Sequence, residues 1–327
     1  MERLDSFYLS DEELEASPSR ADGVSAEDEY QLRLYGAELV QEAGILLKLP
    51  QAAMCTGQVL FQRFYCKRSF AKFNVKRLAA ACIWLGSKLE EQPRQIRHVL
   101  MVMFRMERRR EGKPITHLDP STRRYEELKT ELIRNERLML REFGFIVHVE
   151  HPHKFVLNYL QVLEAGEEVM QEAWNIANDS LRSTLCVRVK AEAVACGVIY
   201  LAARRKAHPL PEDPPWWGLF GVTEPELQRV ALTLEALYAQ PKAAYIHHGK
   251  LPPGSTSPAR APSPAPTPPK PSPVPAPAPA PPPVPAPAPA PTPAPMPAPA
   301  PAARTDGSRE HRDRDRRRSR SRSRDRR

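Results

Sequence analysis

His148, His151 and His153 form the densest set of potential metal ligands in this sequence, within the run His-Val-Glu-His-Pro-His. Imidazole nitrogens bind metals readily, but Pro152 suits the first turn of a helix, which makes these histidines capping or structural groups instead. Trp216 and Trp217, after Pro214 and Pro215, offer faces for stacking on a nucleobase or a peptide; packing of a proline-rich loop against a helical core accounts for them better. The chain contains no glycine-rich phosphate loop, no Gly-x-Ser-x-Gly elbow, no His-Glu-x-x-His motif and no kinase signature. No catalytic residue, metal or cofactor is expected, and the chain reads as a non-enzyme.

Two charged residues stand in apolar stripes. Leu78, Ala81, Leu85 and Lys88 fall on one face of a helical pattern, and Leu132, Glu136, Met139 and Phe143 fall on one face of another. Opposite charges so placed can form an internal ion pair, which would add little to stability. They can also reach out together at an interface, where desolvated charges set register and orientation.

A third feature lies near the C-terminus, where Arg318-Ser319-Arg320-Ser321-Arg322-Ser323-Arg324 alternates cation and hydroxyl. Residues 304–327 carry twelve arginines and five acids, a balance of +7. Phosphate on Ser319, Ser321 and Ser323 would bring that to roughly +1 to +2.5 and loosen contacts with RNA or acidic partners. The same run also fits a basic nuclear-import segment.

These residues need elements to position them, and the chain supplies helices. Leu32, Tyr35, Leu39 and Ala43 keep helical spacing, and Pro50 marks a turn before Val59, Leu60, Phe64 and Tyr65. Asn74 is a good N-cap for the helix holding Lys88, Pro93 opens a fourth helix, and the fifth runs from Thr122 to Phe143, where Gly144 stops it. Strand signals are nearly absent. The pattern then recurs: Ile83-Trp84-Leu85-Gly86-Ser87-Lys88 aligns with Ile199-Tyr200-Leu201-Ala202-Ala203-Arg204 at an offset of 116, which also brings Pro93 onto Pro209. Small residues in both segments let neighbouring helices approach, so each is expected at the centre of a five-helix bundle. Pro152 opens the second bundle, and Thr223-Glu224-Pro225-Glu226 forms a capping box before its last helix.

The expected fold is all-α, two tandem five-helix bundles followed by a disordered tail. Residues 1–25 read as an acidic, poorly ordered lead-in in which Ser10 could cap one short helix. Residues 26–149 and 150–245 read as the bundles. Residues 246–303 read as a Pro/Ala-rich linker, because 25 of the 37 prolines fall in residues 251–303 and so little apolar surface cannot offset the entropy of ordering. Residues 304–327 are the basic Arg/Ser tail. The net charge of +9 favours polyanions or acidic proteins as partners. Five cysteines without paired spacing read as reduced core residues inside the cell, and no apolar stretch is long enough for a membrane span.

Several of these segments resemble a known family. Gly86-Ser87-Lys88-Leu89-Glu90-Glu91-Gln92-Pro93 is similar to the end of the third helix of the cyclin box, and residues 135–145, Asn135 to Phe145, are similar to its fifth helix. The run from His148 to Lys154, Asn178-Asp179-Ser180-Leu181-Arg182, residues 199–204 and Pro215-Trp216-Trp217 resemble the cyclin L group in particular. The resemblance implies two cyclin boxes and a kinase-binding surface including Lys88, Glu136, Glu91, Leu85 and Met139. It further implies a cyclin-dependent serine/threonine kinase as partner, activated for RNA polymerase II transcription and pre-mRNA splicing, and a nuclear-speckle location. Splicing factors, RNA or RNA polymerase II would meet the basic tail. The Met-Arg-Ala-Ile-Leu patch of cell-cycle cyclins is absent from the first helix, and the Arg/Ser tail is short for the group. Two other classes remain open: an RNA-associated splicing adaptor acting through the tail, and a general-transcription-factor-like pair of bundles that binds DNA.

Overall fold

The computed structural model describes residues 7–241, 243, 245 and 246. The Arg/Ser tail with Ser319, Ser321 and Ser323, and the Pro/Ala-rich linker beyond Ile246, lie outside the described residues. Among the described residues there are eleven α-helices, two 3-10 turns and no strand.

The first bundle comprises α3 (Ala26–Leu46), α4 (Gln51–Lys67), α5 (Val75–Leu89), α6 (Ile96–Arg110) and α7 (Arg123–Glu142). Asn74 starts α5 as expected, its side-chain oxygen accepting from the backbone N–H groups of Lys76 and Arg77. From there to Ser87 nearly every residue of α5 is buried, because α3, α4, α6 and α7 all pack around it. Glycine permits the closest of these contacts. A Cβ on Gly86 would stand 2.7 Å from the Ala53 carbonyl oxygen and 3.0 Å from Gly57 N, so α4 and α5 touch backbone to backbone.

The second bundle repeats the order with α8 (Pro152–Val162), α9 (Glu167–Ser180), α10 (Ala191–Arg205) and α11 (Glu224–Ala239). Here α10 is the buried centre, and Gly197 lies against Val230 of α11. Its fourth element is reduced to a 3-10 turn at Trp216–Phe220. Pro209, Pro211, Pro214 and Pro215 explain this, since each lacks a backbone N–H and holds the residue before it out of the helical region. Thr223 and Glu226 close the capping box before α11: the Glu226 carboxylate accepts from Thr223 N at 3.0 Å and from its hydroxyl at 2.8 Å.

The acidic lead-in contributes two short helices, α1 (Asp11–Glu15) and α2 (Pro18–Ala21). Ser10 and Glu13 form a capping box at α1. Long-range bonds hold the segment down. Leu9 N donates to the Val187 carbonyl at 2.8 Å, Arg188 pairs with Asp11 at 2.6 Å, and Phe7 meets the Phe143 ring edge-on at 6.2 Å. Between the bundles, Arg182 reaches Glu38 at 2.7 Å and Gln62 donates to the Arg182 carbonyl at 3.3 Å.

Candidate functional site

The two charged residues singled out in the apolar stripes meet at the edge of the first bundle. Lys88 sits in the last turn of α5, where a cation is favoured by the helix dipole, and Glu136 lies midway along α7. Lys88 Nζ donates to Glu136 Oε1 at 2.6 Å. The two are unequally exposed, the lysine side chain at 38% and the glutamate at 11%. Lys88 Nζ also lies 3.4 Å from the centroid of the Trp84 ring one turn earlier on α5. The Trp84 indole N–H in turn donates to the Arg94 carbonyl at 3.0 Å. The lysine head is thus held between a carboxylate and a π face while its outer side meets solvent, which combines the internal pair with an outward-facing cation.

The other sequence candidates divide into surface and support. Glu91 is exposed in the left-handed turn that ends α5, at φ 55°, with its N–H donating to the Lys88 carbonyl at 3.2 Å. Leu85 and Met139 are buried, with Met139 Sδ 3.9 Å from Cys82 Sγ, so these two back the pair from the core. Periodicity places Leu85 and Met139 on the same stripes as Lys88 and Glu136 but cannot say which of these four the bundle covers.

Two nearby features escaped the sequence reading. Trp84 is the platform of Lys88, and its spacing at i, i+4 from the lysine was the available signal. Phe145 is 73% exposed, just after the Gly144 stop of α7, while Phe143 two residues earlier is buried. Gly144 and Phe145 both have positive φ, and Phe145 N reaches back to the Leu140 carbonyl at 2.9 Å, a turn that swings the second ring outward.

Two of the three histidines are packed into the junction, and His148 is exposed. His151 Nε2 lies 2.9 Å from the Thr56 hydroxyl of α4, which also donates to Glu90 at 2.6 Å, while His153 Nε2 lies 2.7 Å from Asn178 Oδ1. Burial, helped by the neighbouring His153, pushes His151 down to about 4, so it stays neutral at the junction of the bundles. Among the described residues no group of three or more His, Cys, Asp or Glu is placed to hold a metal. Trp216 is a core residue against Trp217 and Phe220 and has no face free for stacking on a ligand. All five cysteines are unpaired, and burial pushes Cys55, Cys186 and Cys196 up to about 12, far from thiolate chemistry.

Two helical bundles in tandem, each wound on a buried central helix and the first carrying a Lys–Glu pair at its edge, define the tandem cyclin-box class. Residues 5–148 match the cyclin N-terminal domain, and residues 151–233 match the Cyclin-T2-like C-terminal domain. The chain is 60% identical to Cyclin-L1-1 of Oryza sativa subsp. japonica over 243 residues, 74% of this chain and 57% of that protein. It is 46% identical to Cyclin-L2 of Homo sapiens over 247 residues, 75% of this chain and 47% of that protein. The chain spans about half the length of the curated relatives it matches. A chain in the crystal structure of the yeast RNA Pol II CTD kinase CTDK-1 complex shares the fold at a TM-score of 0.60 and 17% identity, over 71% of this chain and 72% of that one. A viral cyclin from herpesvirus saimiri gives 0.50 and 13%, over 72% and 96%. The chain belongs to the cyclin family, in its cyclin L group.

Proposed function

We propose that this chain is a non-catalytic regulatory subunit that binds and activates a cyclin-dependent serine/threonine kinase. The observation that carries the reading is the Lys88–Glu136 pair, a charge pair set into an apolar stripe with its cation still open to solvent. Membership of the cyclin family supports it, as does the shared fold with a chain of a kinase complex. Activation is conformational. The first bundle presses on a mobile helix of the kinase and thereby completes its ATP site, so the cyclin acts as a ligand with higher affinity for the active state. Lys88, Glu136 and Glu91 orient the complex, Leu85 and Met139 keep the helices beneath them rigid, and Phe145 adds apolar contact. An interface of ~1,600 Å² is the size a stable complex of this kind needs.

The wider role is a nuclear one in RNA polymerase II transcription and pre-mRNA splicing, with a nuclear-speckle location. It rests on kinship with the cyclin L group and on the Arg/Ser tail, whose Ser319, Ser321 and Ser323 are the candidate phosphate acceptors.

The decisive experiment purifies tagged chain from nuclear extract and assays kinase activity on a Ser-Pro repeat peptide, with and without the double change Lys88→Glu and Glu136→Lys. The double change exchanges the partners, so the internal pair survives with its polarity reversed toward the outside. Activity lost with the exchange supports the kinase reading. Equal activity in both would place the interface elsewhere, and no activity in either would favour the adaptor or DNA-binding reading.

A further inference from the structure

The first bundle holds a groove that the kinase reading does not use. It lies between the end of α3, the outer face of α6 and the loop 111–122, and encloses about 610 Å³, within the ~300–1,000 Å³ range of ligand sites. Half-buried Met101 and Val102 of α6 form its floor, while Leu46 and Ile115, 47% and 54% exposed, flank its mouth.

The groove is built into the fold. Lys48 ends α3 in a left-handed turn at φ 52°, and the Arg94 guanidinium donates to the Leu47 and Lys48 carbonyls at 3.1 and 2.8 Å, fastening the end of α3 to the segment before α6. On the loop side, Arg108 donates to the Pro114 carbonyl at 2.5 Å, and buried Leu118 anchors the chain beyond Ile115.

The rim is cationic. Lys48 and Arg105 are exposed around the mouth with no ion pair to an acid of the described residues, and His98 and His117 are exposed beside them, His117 next to the Asp119 carboxylate. Among the described residues that line the groove, none is Asp or Glu. Several other cations of the bundle are paired with acids. Arg109 and Arg110 pair with Glu42, Lys76 with Glu107 and Glu111, and Arg77 with Glu107 and Glu131. An apolar floor with the unpaired cations Lys48 and Arg105 at its rim complements a chain segment in which bulky apolar side chains are flanked by carboxylates. A nucleic acid fits less well, because no Phe, Tyr or Trp lines the groove to stack on a base.

We propose that this groove docks a short acidic–apolar segment of a partner protein, its apolar side chains filling the cavity and its carboxylates meeting Lys48 and Arg105. The site stands whether or not the chain binds a kinase. The two surfaces touch at one point: the Arg94 carbonyl accepts from Trp84, the platform of Lys88.

The test is fluorescence anisotropy on the full chain, using a labelled peptide with a Leu-Leu-Phe centre between two runs of glutamate. Saturable binding that weakens with salt is expected. The double variant Lys48→Glu, Arg105→Glu should weaken it at least about tenfold, and Ile115→Ser about fivefold. All three side chains are exposed, so thermal melts should stay unchanged. A peptide with serines at its centre should not bind. Equal binding of that serine peptide, or equally strong competition by a uridine-rich RNA oligonucleotide, would reduce the groove to a general polyanion surface and overturn the proposal; so would no saturable binding, or variants that bind like the wild type.

Discussion

The two central helices carry the same device at their C-terminal ends and use it differently. On α5, Trp84 and Lys88 place a cation over an aromatic ring; on α10, at the repeat offset, Tyr200 and Arg204 do the same, with the guanidinium 5.3 Å from the ring. Lys88 then crosses to Glu136 on the last helix of its bundle. Arg204 bonds to the hydroxyl of its own Tyr200, and the neighbouring Arg205 takes Glu172 at 3.0 Å and the Tyr238 ring at 4.3 Å. A repeated sequence thus repeats a local contact. Only the first bundle has an acid on its last helix that turns the contact into a cross-helix pair. The fourth elements diverge as well: helix α6 and the loop after it frame a groove in the first bundle, where the second has a 3-10 turn.

The largest expected effect concerns the two central glycines. A Cβ on Gly86 meets the Ala53 carbonyl and the Gly57 backbone, whereas one on Gly197 meets chiefly the Val230 side chain. Urea unfolding should show Gly86→Ala losing about 3 kcal/mol and Gly197→Ala about 2 kcal/mol, since Val230 can yield only in part with its Cβ 2.5 Å away, and two backbones in contact less still. Equal losses would mean that the two bundles are packed alike. Next in size, the Lys88/Glu136 exchange should lower kinase affinity at least about tenfold while Arg204→Glu leaves it unchanged, as read by titration of purified kinase. Equal loss from both would erase the functional difference between the helix ends.

A smaller effect tests the junction of the bundles. His151 faces Thr56, whose hydroxyl also donates to Glu90, and lies in the field of His153, Arg63, His148 and Lys154. Its folded value of about 4 lies below the ordinary 6.5, so between those pH values the unfolded chain binds a proton that the folded chain refuses. Stability from this group is complete above pH 6.5 and falls as the pH drops toward 4. Thermal melts of His151→Gln should show a shallower decline across that window, and a slope identical to wild type would contradict the assignment. The smallest effect is Lys88→Ala, which should cost only about 0.5 kcal/mol in urea unfolding because its partly exposed pair is screened by water. A loss of several kcal/mol there would make the pair a structural element first.

The sequence allowed helix starts to be located because capping is local chemistry. Asn74 and Thr122 bond to N–H groups two or three residues along their own chain, so short-range spacing is enough to find them. The internal repeat and the two charges set in apolar stripes were equally legible, because identity and periodicity survive in one dimension. The 3-10 turn in place of a fourth helix in the second bundle was signalled by four prolines whose cumulative effect the repeat obscured.

What needed three dimensions was coverage. Leu85 and Lys88 share a stripe, and only the packing of neighbouring helices buries one and leaves the other in solvent. Phe143 and Phe145 are the same side chain on either side of Gly144, yet a left-handed turn turns one inward and one outward. The groove likewise joins Leu46, Met101 and Ile115, which are far apart in the chain and share no periodicity. Residue types and spacing determine where a helix forms and which face is apolar, because those depend on local backbone and side-chain energetics. Which apolar face stays open, and which charges find each other, depends on the long-range packing that closes the bundle, and only the folded chain decides it.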